Sequence, residues 1–412
     1  MKRAYYIIVV ALSAIVLSWF LPWLYSIVFP SAAADQFVAW SPVSDSFIVS
    51  DNSQEGVTDI FAIDAEGRRT ATFTKEERDS LLPQIYYTQL MARDHMPDSL
   101  AGREVSVATL KHNQWVFTSL PRDINRTLPT VLMMMESMPE RYDLEDPDEV
   151  FTLDGSVEFT DMRTNSVNAG RSRRFTDIFA DRGFTYPVKA WSANITTRKP
   201  YDNGYLLVDD QGQLYHLKMQ AGRPYMMNVA LPADTKAAHV WVLENPETHY
   251  LGIVSTDDGR LFALEREGYL LAELPVGTVD PESEKISIVK NLFNWVVRVS
   301  GTEGSRFYAF ESDSYRPLGE YGYEYPVTMA ERVSRYLFPF VVTFTSTSDQ
   351  WAHPRIINGS LSALYLNVVL ALTVAAVAVR RRRLSPSAIA LRSILTAVFG
   401  LYLFIPLMLI EE

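Results

Sequence analysis

Six histidines stand at positions 95, 112, 216, 239, 249 and 353, and no two of them share a helical or hairpin ligand spacing. A zinc centre needs three or four converging side chains, so a lone imidazole defines no metal site. His216 lies in an apolar, tyrosine-bearing run and reads as a strand residue or groove wall. Glu140, Asp143, Glu145, Asp146, Asp148 and Glu149 crowd together carboxylate oxygens of the type a hard cation takes. That run lacks the glycine turn and regular offsets of a calcium loop, so it reads as a solvated acidic loop. Met133, Met134, Met135 and Met138 offer thioethers to Cu(I). With no histidine or cysteine beside them, they read as filler of irregular apolar gaps. The sequence contains no G-x-S-x-G, phosphate loop, HExxH or EF-hand pattern, and no cysteine. No catalytic, metal or cofactor-binding residue is therefore assigned. One polar loop remains, Thr196–Tyr205, with Arg198 and Lys199 projecting from the loop end of a β domain, where binding concentrates. Arg198, Lys199, Tyr201 and His216 form the candidate partner contact. The alternative is an exposed loop whose charges do nothing, at which substitution leaves folding intact.

The elements that would position this loop repeat. Around Tyr205, Tyr250 and Trp295, apolar runs turn at Asp/Gly clusters (Asp210–Gly212, Asp257–Gly259, Gly301–Gly304) and return as second runs. The spacing is 45 residues both times. With one flanking strand on each side, such as Val240–Glu244 and Tyr269–Leu274, each unit has four strands, the content and length of a propeller blade. Residues 188–326 show this most clearly. Phe37–Trp40, Phe47–Ser50, Asp59–Asp64 and Arg69–Phe73 read as another four-stranded unit. Hairpins are expected at Glu149–Asp161, around Asp154-Gly155, and at Glu104–Thr118. Thr74-Lys-Glu-Glu is a capping-box pattern that opens a helix over Glu76–Met91, and Ser172–Arg182 reads as another helix. The expected fold is mainly β, a propeller-like domain of four-stranded blades with helical insertions over residues 35–328. A variant ring and an open sandwich both fit the hairpins.

Three uncharged apolar runs, Ala4–Phe29, Leu361–Val379 and Ser393–Ile410, are long enough to cross a bilayer. Lys2, Arg3, Arg380, Arg381, Arg382, Arg383 and Arg392 flank them, and basic flanks stay on the cytoplasmic side. That predicts an N-terminal anchor over residues 1–30, spans over 361–379 and 393–410, and a cytoplasmic basic loop over 380–392. The N-terminus is then inside, with the β domain and the C-terminus outside, most simply in a bacterial periplasm. Setting aside those seven basic residues and Glu411 and Glu412, 31 basic and 47 acidic residues remain. An acidic outer domain repels nucleic acid, which needs a basic footprint. Ser31–Ala34 offers a cleavage site that would make the first run a signal peptide. The run is longer than a signal core, contains Pro22, and carries Trp19, Trp23 and Tyr25 at its outer end, as an interfacial anchor does. Within the juxtamembrane segment 329–360, Met329–Phe344 mixes Arg332 and Arg335 with apolar residues. It reads either as an amphipathic segment lying on the bilayer or as a last strand of the domain.

Leu81–Met91, Met96-Pro-Asp-Ser99, Glu158–Asn165 and Thr196–Met227, with its Tyr-Asp-x-Gly-Tyr-Leu core, resemble an uncharacterised bacterial membrane-protein family, domain of unknown function 4857. The resemblance implies neighbours among the ATP-binding and permease components of ABC transporters. It supplies no catalytic residues. The spans hold no acid or histidine, which argues against an ion path of their own. The expected function is a non-catalytic accessory or sensing subunit of an envelope transport complex at the inner membrane. The alternative is an envelope polysaccharide hydrolase or lyase, which would need paired carboxylates.

Overall fold

The structure is a computed structural model, and it describes residues 2–30, 36–54, 57–64, 67–137, 144–357, 359–381 and 384–410. The chain divides into a β unit, Gln36–Glu324, and a helical unit built from both ends, Met1–Asp35 and Tyr325–Glu412. Its helices in chain order are α1 (Lys2–Val28), α2 (Lys75–Leu81), α3 (Pro83–Ala92), α4 (Val107–Asn113) and α5 (Pro121–Ile124). They continue with α6 (Ala169–Asp181), α7 (Met329–Leu337), α8 (Ala363–Arg381), α9 (Pro386–Phe399) and α10 (Leu401–Leu409).

In the β unit, four antiparallel four-stranded sheets and one of five strands succeed one another. Sheet I comprises Gln36–Ser41, Ser46–Gln54, Val57–Ile63 and Arg69–Thr72. Sheet II comprises Val131–Met133, Glu149–Leu153, Val157–Asp161 and Ser166–Val167. Sheet III is Ala190–Ala193, Tyr205–Val208, Leu214–Gln220 and Arg223–Val229; sheet IV is Ala237–Val242, Tyr250–Thr256, Leu261–Glu265 and Leu271–Glu273. Sheet V is Lys285–Lys290, Asn294–Ser300, Gly304–Glu311 and Pro317–Glu324, with Trp115–Ser119 added beside Lys285–Lys290. Sheets III, IV and V are the three repeats expected between residues 188 and 326. Tyr205, Tyr250 and Trp295 all sit on the second strand of their sheets and are all buried.

Alternating side chains give each inner sheet two apolar faces, and neighbouring faces interlock. One cluster packs sheet I on V through Trp40, Phe47, Val296 and Phe307, and another packs V on IV through Trp295, Val297, Tyr250 and Ile253. Leu206, Val208, Val254 and Phe262 join IV to III, and Phe151, Phe159, Tyr205 and Leu217 join III to II. The stack therefore runs I–V–IV–III–II. Among the described residues no core cluster joins I to II, so the stack is an open arc rather than a closed barrel. Its outer faces are covered by helices: Leu82 and Ile85 of the α2–α3 region pack on sheet I, and Phe175 and Phe179 of α6 join the sheet II core.

Three local expectations change. The hairpin expected at Glu104–Thr118 does not form. Ser106 caps α4 by accepting the Thr109 N–H, and Trp115–Ser119 pairs instead with the distant Lys285–Lys290. The helix expected over Glu76–Met91 keeps its Thr74/Glu77 capping box but breaks before Pro83, which cannot continue the hydrogen-bond ladder. The single span expected over Ser393–Ile410 is two helices, because Gly400 adopts φ 55° and ψ −132° between α9 and α10. α9 also begins at Pro386, so Arg392 lies inside a helix rather than in the 380–392 loop.

In the helical unit, α1 and α8 are each long and apolar enough to cross a membrane, while α9 is shorter. Phe399 and Tyr402, on either side of Gly400, both pack on Phe340. Leu403 and Leu407 then join Val374 of α8 and Val10 and Tyr6 of α1 in one buried cluster. The chain therefore doubles back at Gly400, and α10 runs beside α1 toward the end where α1 begins. At the opposite end, Tyr25 donates a 2.8 Å hydrogen bond to the Ala330 carbonyl of α7. Met329–Phe344 contains the helix α7 and, after Pro339, the short strand Val341–Thr343. That strand is not a last strand of the β domain, because it pairs with Arg355–Ile357 in a two-stranded ribbon of the helical unit. The cleavage site considered at Ser31–Ala34 lies outside the described residues.

Candidate functional site

The loop Asn194–Gly204 connects the first two strands of sheet III, and it does not hang free. Lys199 is buried, its side chain 2% exposed, between Asp202 at 2.5 Å and Glu244 of sheet IV's corresponding loop at 2.8 Å. Its third donor goes to the Asn194 carbonyl at 2.6 Å. The two carboxylates are equally enclosed and separately tied. Ser137 donates to Asp202, while the Asn203 N–H and the Asn194 amide donate to Glu244 at 2.7 and 2.8 Å. Burial pushes the Glu244 carboxyl above the usual carboxylate range, and the Asn203 N–H and Lys199 oppose the shift. Removal from water disfavours a lone charge, and here each carboxylate oxygen and each ammonium proton has a partner.

His216, on the third strand of sheet III, is also buried. Its Nε2 lies 2.6 Å from the Asn203 carbonyl, which can only accept, so Nε2 carries the proton. Nδ1 of the neutral ring then accepts from Tyr269 at 2.8 Å. Burial pushes the imidazole pKa down to about 4, consistent with a ring locked neutral by two hydrogen bonds. Tyr269 belongs to sheet IV and holds φ 55°, a conformation uncommon for a bulky residue. Tyr315, in the corresponding turn of sheet V, holds φ 56° and reaches back to Glu265 of sheet IV at 3.0 Å. The charged link repeats too: Lys290 of sheet V pairs with Glu247 of sheet IV, which also accepts from Trp115 at 2.9 Å. Sheets III and IV, and sheets IV and V, are thus each linked by a buried ion pair and a left-handed tyrosine.

The four residues expected to make a contact therefore separate. Lys199 and His216 are internal bolts, correcting the reading of Lys199 as an exposed loop charge. Its burial comes from the neighbouring repeat, whose Glu244 caps it. Tyr201 is half-buried at the surface of the same seam and donates to the Asn245 carbonyl at 2.7 Å. Arg198 is exposed. Lys218 and Arg266, which the sequence did not single out, complete the surface. The Arg266 guanidinium lies 5.1 Å from the Tyr201 ring centroid and donates to Asn203 at 2.9 Å and to the Thr248 carbonyl at 2.6 Å. Neither cation has a carboxylate within 4 Å among the described residues. Lys218 pairs across the strands with Tyr225, whose hydroxyl lies 3.2 Å from that of Tyr269. Burial, with the nearby Arg266, holds the Lys218 ammonium below its ordinary pKa. The sequence did hold one signal for the seam: Lys199 and Glu244 are one 45-residue repeat apart, as are Asp202 and Glu247.

The other sequence candidates disperse. Of the acidic run, Glu149 pairs with Arg171 and Asp148 with Arg163, and Glu140 and Asp143 lie outside the described residues. Met134 and Met135 are buried, Met134 within the core between sheets II and III, and Met138 is outside the described residues. Among the described residues, no group of three or more His, Asp or Glu side chains is arranged to hold a metal ion. Of the basic flanks, Lys2 and Arg3 open α1, Arg380 and Arg381 close α8, and Arg382 and Arg383 are outside the described residues. Arg392 stacks 5.2 Å from the Tyr6 ring.

A family model matches residues 37–310, two thirds of the chain and nearly all of the β unit. The chain belongs to the domain of unknown function family DUF4857. No curated protein matches it. Among solved structures, the Dos1 propeller matches at 12% identity and TM-score 0.25, over 44% of this chain and 45% of that one. The Cps50 (Swd1) propeller domain of Myceliophteria thermophila matches at 11% identity and TM-score 0.26, over 49% of this chain and 58% of that one. PorZ, an essential bacterial surface component of the type-IX secretion system of Porphyromonas gingivalis, matches at 11% identity and TM-score 0.23. That match covers 70% of this chain and 27% of PorZ. The chain thus spans less than two thirds of each. β-Propellers are among its structural neighbours.

Proposed function

We propose that this DUF4857 chain is a non-catalytic accessory or sensing subunit of an envelope transport complex, contacting its partner or substrate through the β unit. The observation that carries the reading is the division of charge at the seam between sheets III and IV. The carboxylates of Asp202 and Glu244 are neutralised inside by Lys199, whereas Lys218 and Arg266 are half-buried beside Tyr201 and Tyr225 with no carboxylate within 4 Å among the described residues. That layout suits recognition of an acidic group, since it sets two cations beside aromatic rings at the seam. The apolar surfaces of α1, α8 and α9, including Ile8, Ile15, Leu372 and Ile394, are exposed in the helical unit and suit lipid or permease helices. An ABC-type permease and ATPase are the partners that the family resemblance implies.

In this reading the β unit is periplasmic, and Lys2, Arg3 and Arg380–Arg383 lie on the cytoplasmic side. The turn at Gly400 makes α9 and α10 a hairpin, so α10 turns back toward the end where α9 begins instead of continuing the span. Affinity purification of the full chain from native membranes in mild detergent tests the reading. Permease and ATPase subunits should co-purify, and Lys218→Ala with Arg266→Ala should deplete them. A chain that runs alone, or one that by itself turns over an envelope polysaccharide, would overturn it. Side-specific labelling of single cysteines placed at Arg381 and Gly259 should modify the first only from the cytoplasm and the second only from outside.

A further inference from the structure

α7 is a nine-residue helix with no buried residue of its own. Its face bearing Glu331, Ser334 and Phe338 lines a groove of about 570 Å³ against Trp19, Trp23 and Phe344. Another face carries Met329, Val333 and Tyr336, which are 72%, 44% and 51% exposed and spaced as a single helical stripe. Arg332 and Arg335 flank that stripe, are exposed, and have no carboxylate partner among the described residues. The depth of this helix is fixed within the helical unit. The Tyr25 hydroxyl, at the outer end of α1, is bonded to the Ala330 carbonyl, and the Tyr336 ring contacts Tyr365 at the start of α8. Trp and Tyr rings at the end of an apolar helix settle at headgroup level.

From this we infer that α7 lies in the plane of the outer bilayer interface and selects anionic phospholipid, with Arg332 and Arg335 binding the phosphate groups and the Met329–Val333–Tyr336 stripe entering the acyl region. The inference rests on the membrane-anchored reading above and adds a lipid preference to it. The charge complementarity is direct: two exposed cations, with no carboxylate within 4 Å among the described residues, sit beside an apolar stripe at the outer end of α1, and Glu331 is engaged in capping Thr328. A basic residue near an anionic surface contributes about 1 kcal/mol, a factor of about five, so the pair implies a preference of about 30-fold for anionic over zwitterionic lipid at the helix.

The test uses the full chain reconstituted in nanodiscs of phosphatidylcholine with a minor fraction of phosphatidylglycerol. Quenching of tryptophan fluorescence is compared when the bromine is carried by one lipid or by the other. The native chain should show brominated phosphatidylglycerol enriched about 30-fold in its relative association constant. Arg332→Gln with Arg335→Gln should bring that ratio close to one, while Arg198→Gln, in the β unit, leaves it unchanged. Equal quenching by both lipids in the native chain would overturn the lipid preference and leave the membrane anchor standing. No quenching by either would overturn the anchor as well. An enrichment that survives loss of both arginines would assign the preference elsewhere and refute the role of α7.

Discussion

Replacing Lys199 by alanine is the sharpest test of the bolted seam. The ammonium contacts Asp202 at 2.5 Å and Glu244 at 2.8 Å, and those side chains are only 3% and 1% exposed. Removing it leaves two carboxylates facing each other out of water. Losing one partner of a buried ion pair costs about 3–5 kcal/mol, and here two acids are stranded, so the upper half of that range is expected. Against a domain stability of about 5–15 kcal/mol, this is a large fraction. Urea unfolding of the full chain in mild detergent, followed by fluorescence of the buried Trp295 and Trp115, reads it directly. Arg198→Ala, one residue away but exposed, should move the midpoint by no more than about 0.5 kcal/mol. Adding Asp202→Asn and Glu244→Gln to Lys199→Ala should recover more than half of the loss, because neutral amides keep hydrogen bonds without stranded charge. A Lys199→Ala effect as small as that of Arg198→Ala would refute the claim that the seam is bolted by this lysine.

Three further outcomes follow from the same geometry. His216 is held neutral with a pKa pushed down from 6.5 to about 4, so the unfolded chain binds the extra proton between those values. Stability should therefore be complete above pH 6.5 and decline as pH falls toward 4, by up to about 3 kcal/mol; urea midpoints across that range should show a shallower decline in His216→Gln. Tyr269→Phe and Tyr315→Phe remove hydroxyls that do equivalent work on adjacent seams, and each should cost about 1–2 kcal/mol in the same unfolding assay. A large effect at one and none at the other would break the equivalence. Gly400→Ala places a Cβ 2.2 Å from Asn367 Oδ1 at a positive φ. It should destabilise the helical unit by about 2 kcal/mol or more, seen as earlier thermal unfolding in detergent and relieved in part by Asn367→Ala.

The repeats were legible because hairpins are local. Asp257–Gly259 turns between two apolar strands, and the same run and turn recur one repeat earlier, so neighbouring residues alone identify the pairing. Trp115–Ser119 was not legible as the fifth strand of sheet V, since its partner lies some 170 positions away and a short β-rich run does not name its mate. α4 was misread as strand although Ser106 and Thr109 form its cap, because its length gives too little periodicity to outvote the β-rich residues beside it. Gly400 looked like one more small residue in an apolar run, and only its contact with Asn367 shows why the chain turns there. Lys199 was misplaced for a different reason. Loop charges are usually solvated, and its burial is caused by Glu244, a residue of the next repeat.

The seam chemistry also constrains which groups can serve function. The burial of apolar faces between the sheets carries no direction of its own. Lys199 with Glu244, Lys290 with Glu247, and the reaching tyrosines Tyr269 and Tyr315 add direction at one end of the stack. Together they tie sheet III to sheet IV and sheet IV to sheet V. Groups committed to that task are saturated: the triad's donors and acceptors are matched inside, and His216 has both ring nitrogens occupied. A ligand that competed for them would have to loosen the stack. In the proposed reading, recognition falls to the neighbouring cations Lys218 and Arg266, the latter held by Asn203 and the Thr248 carbonyl beside the Tyr201 ring. If the proposed reading holds, substitutions there should divide cleanly, with Lys199 and His216 read out in stability and Lys218 and Arg266 in binding.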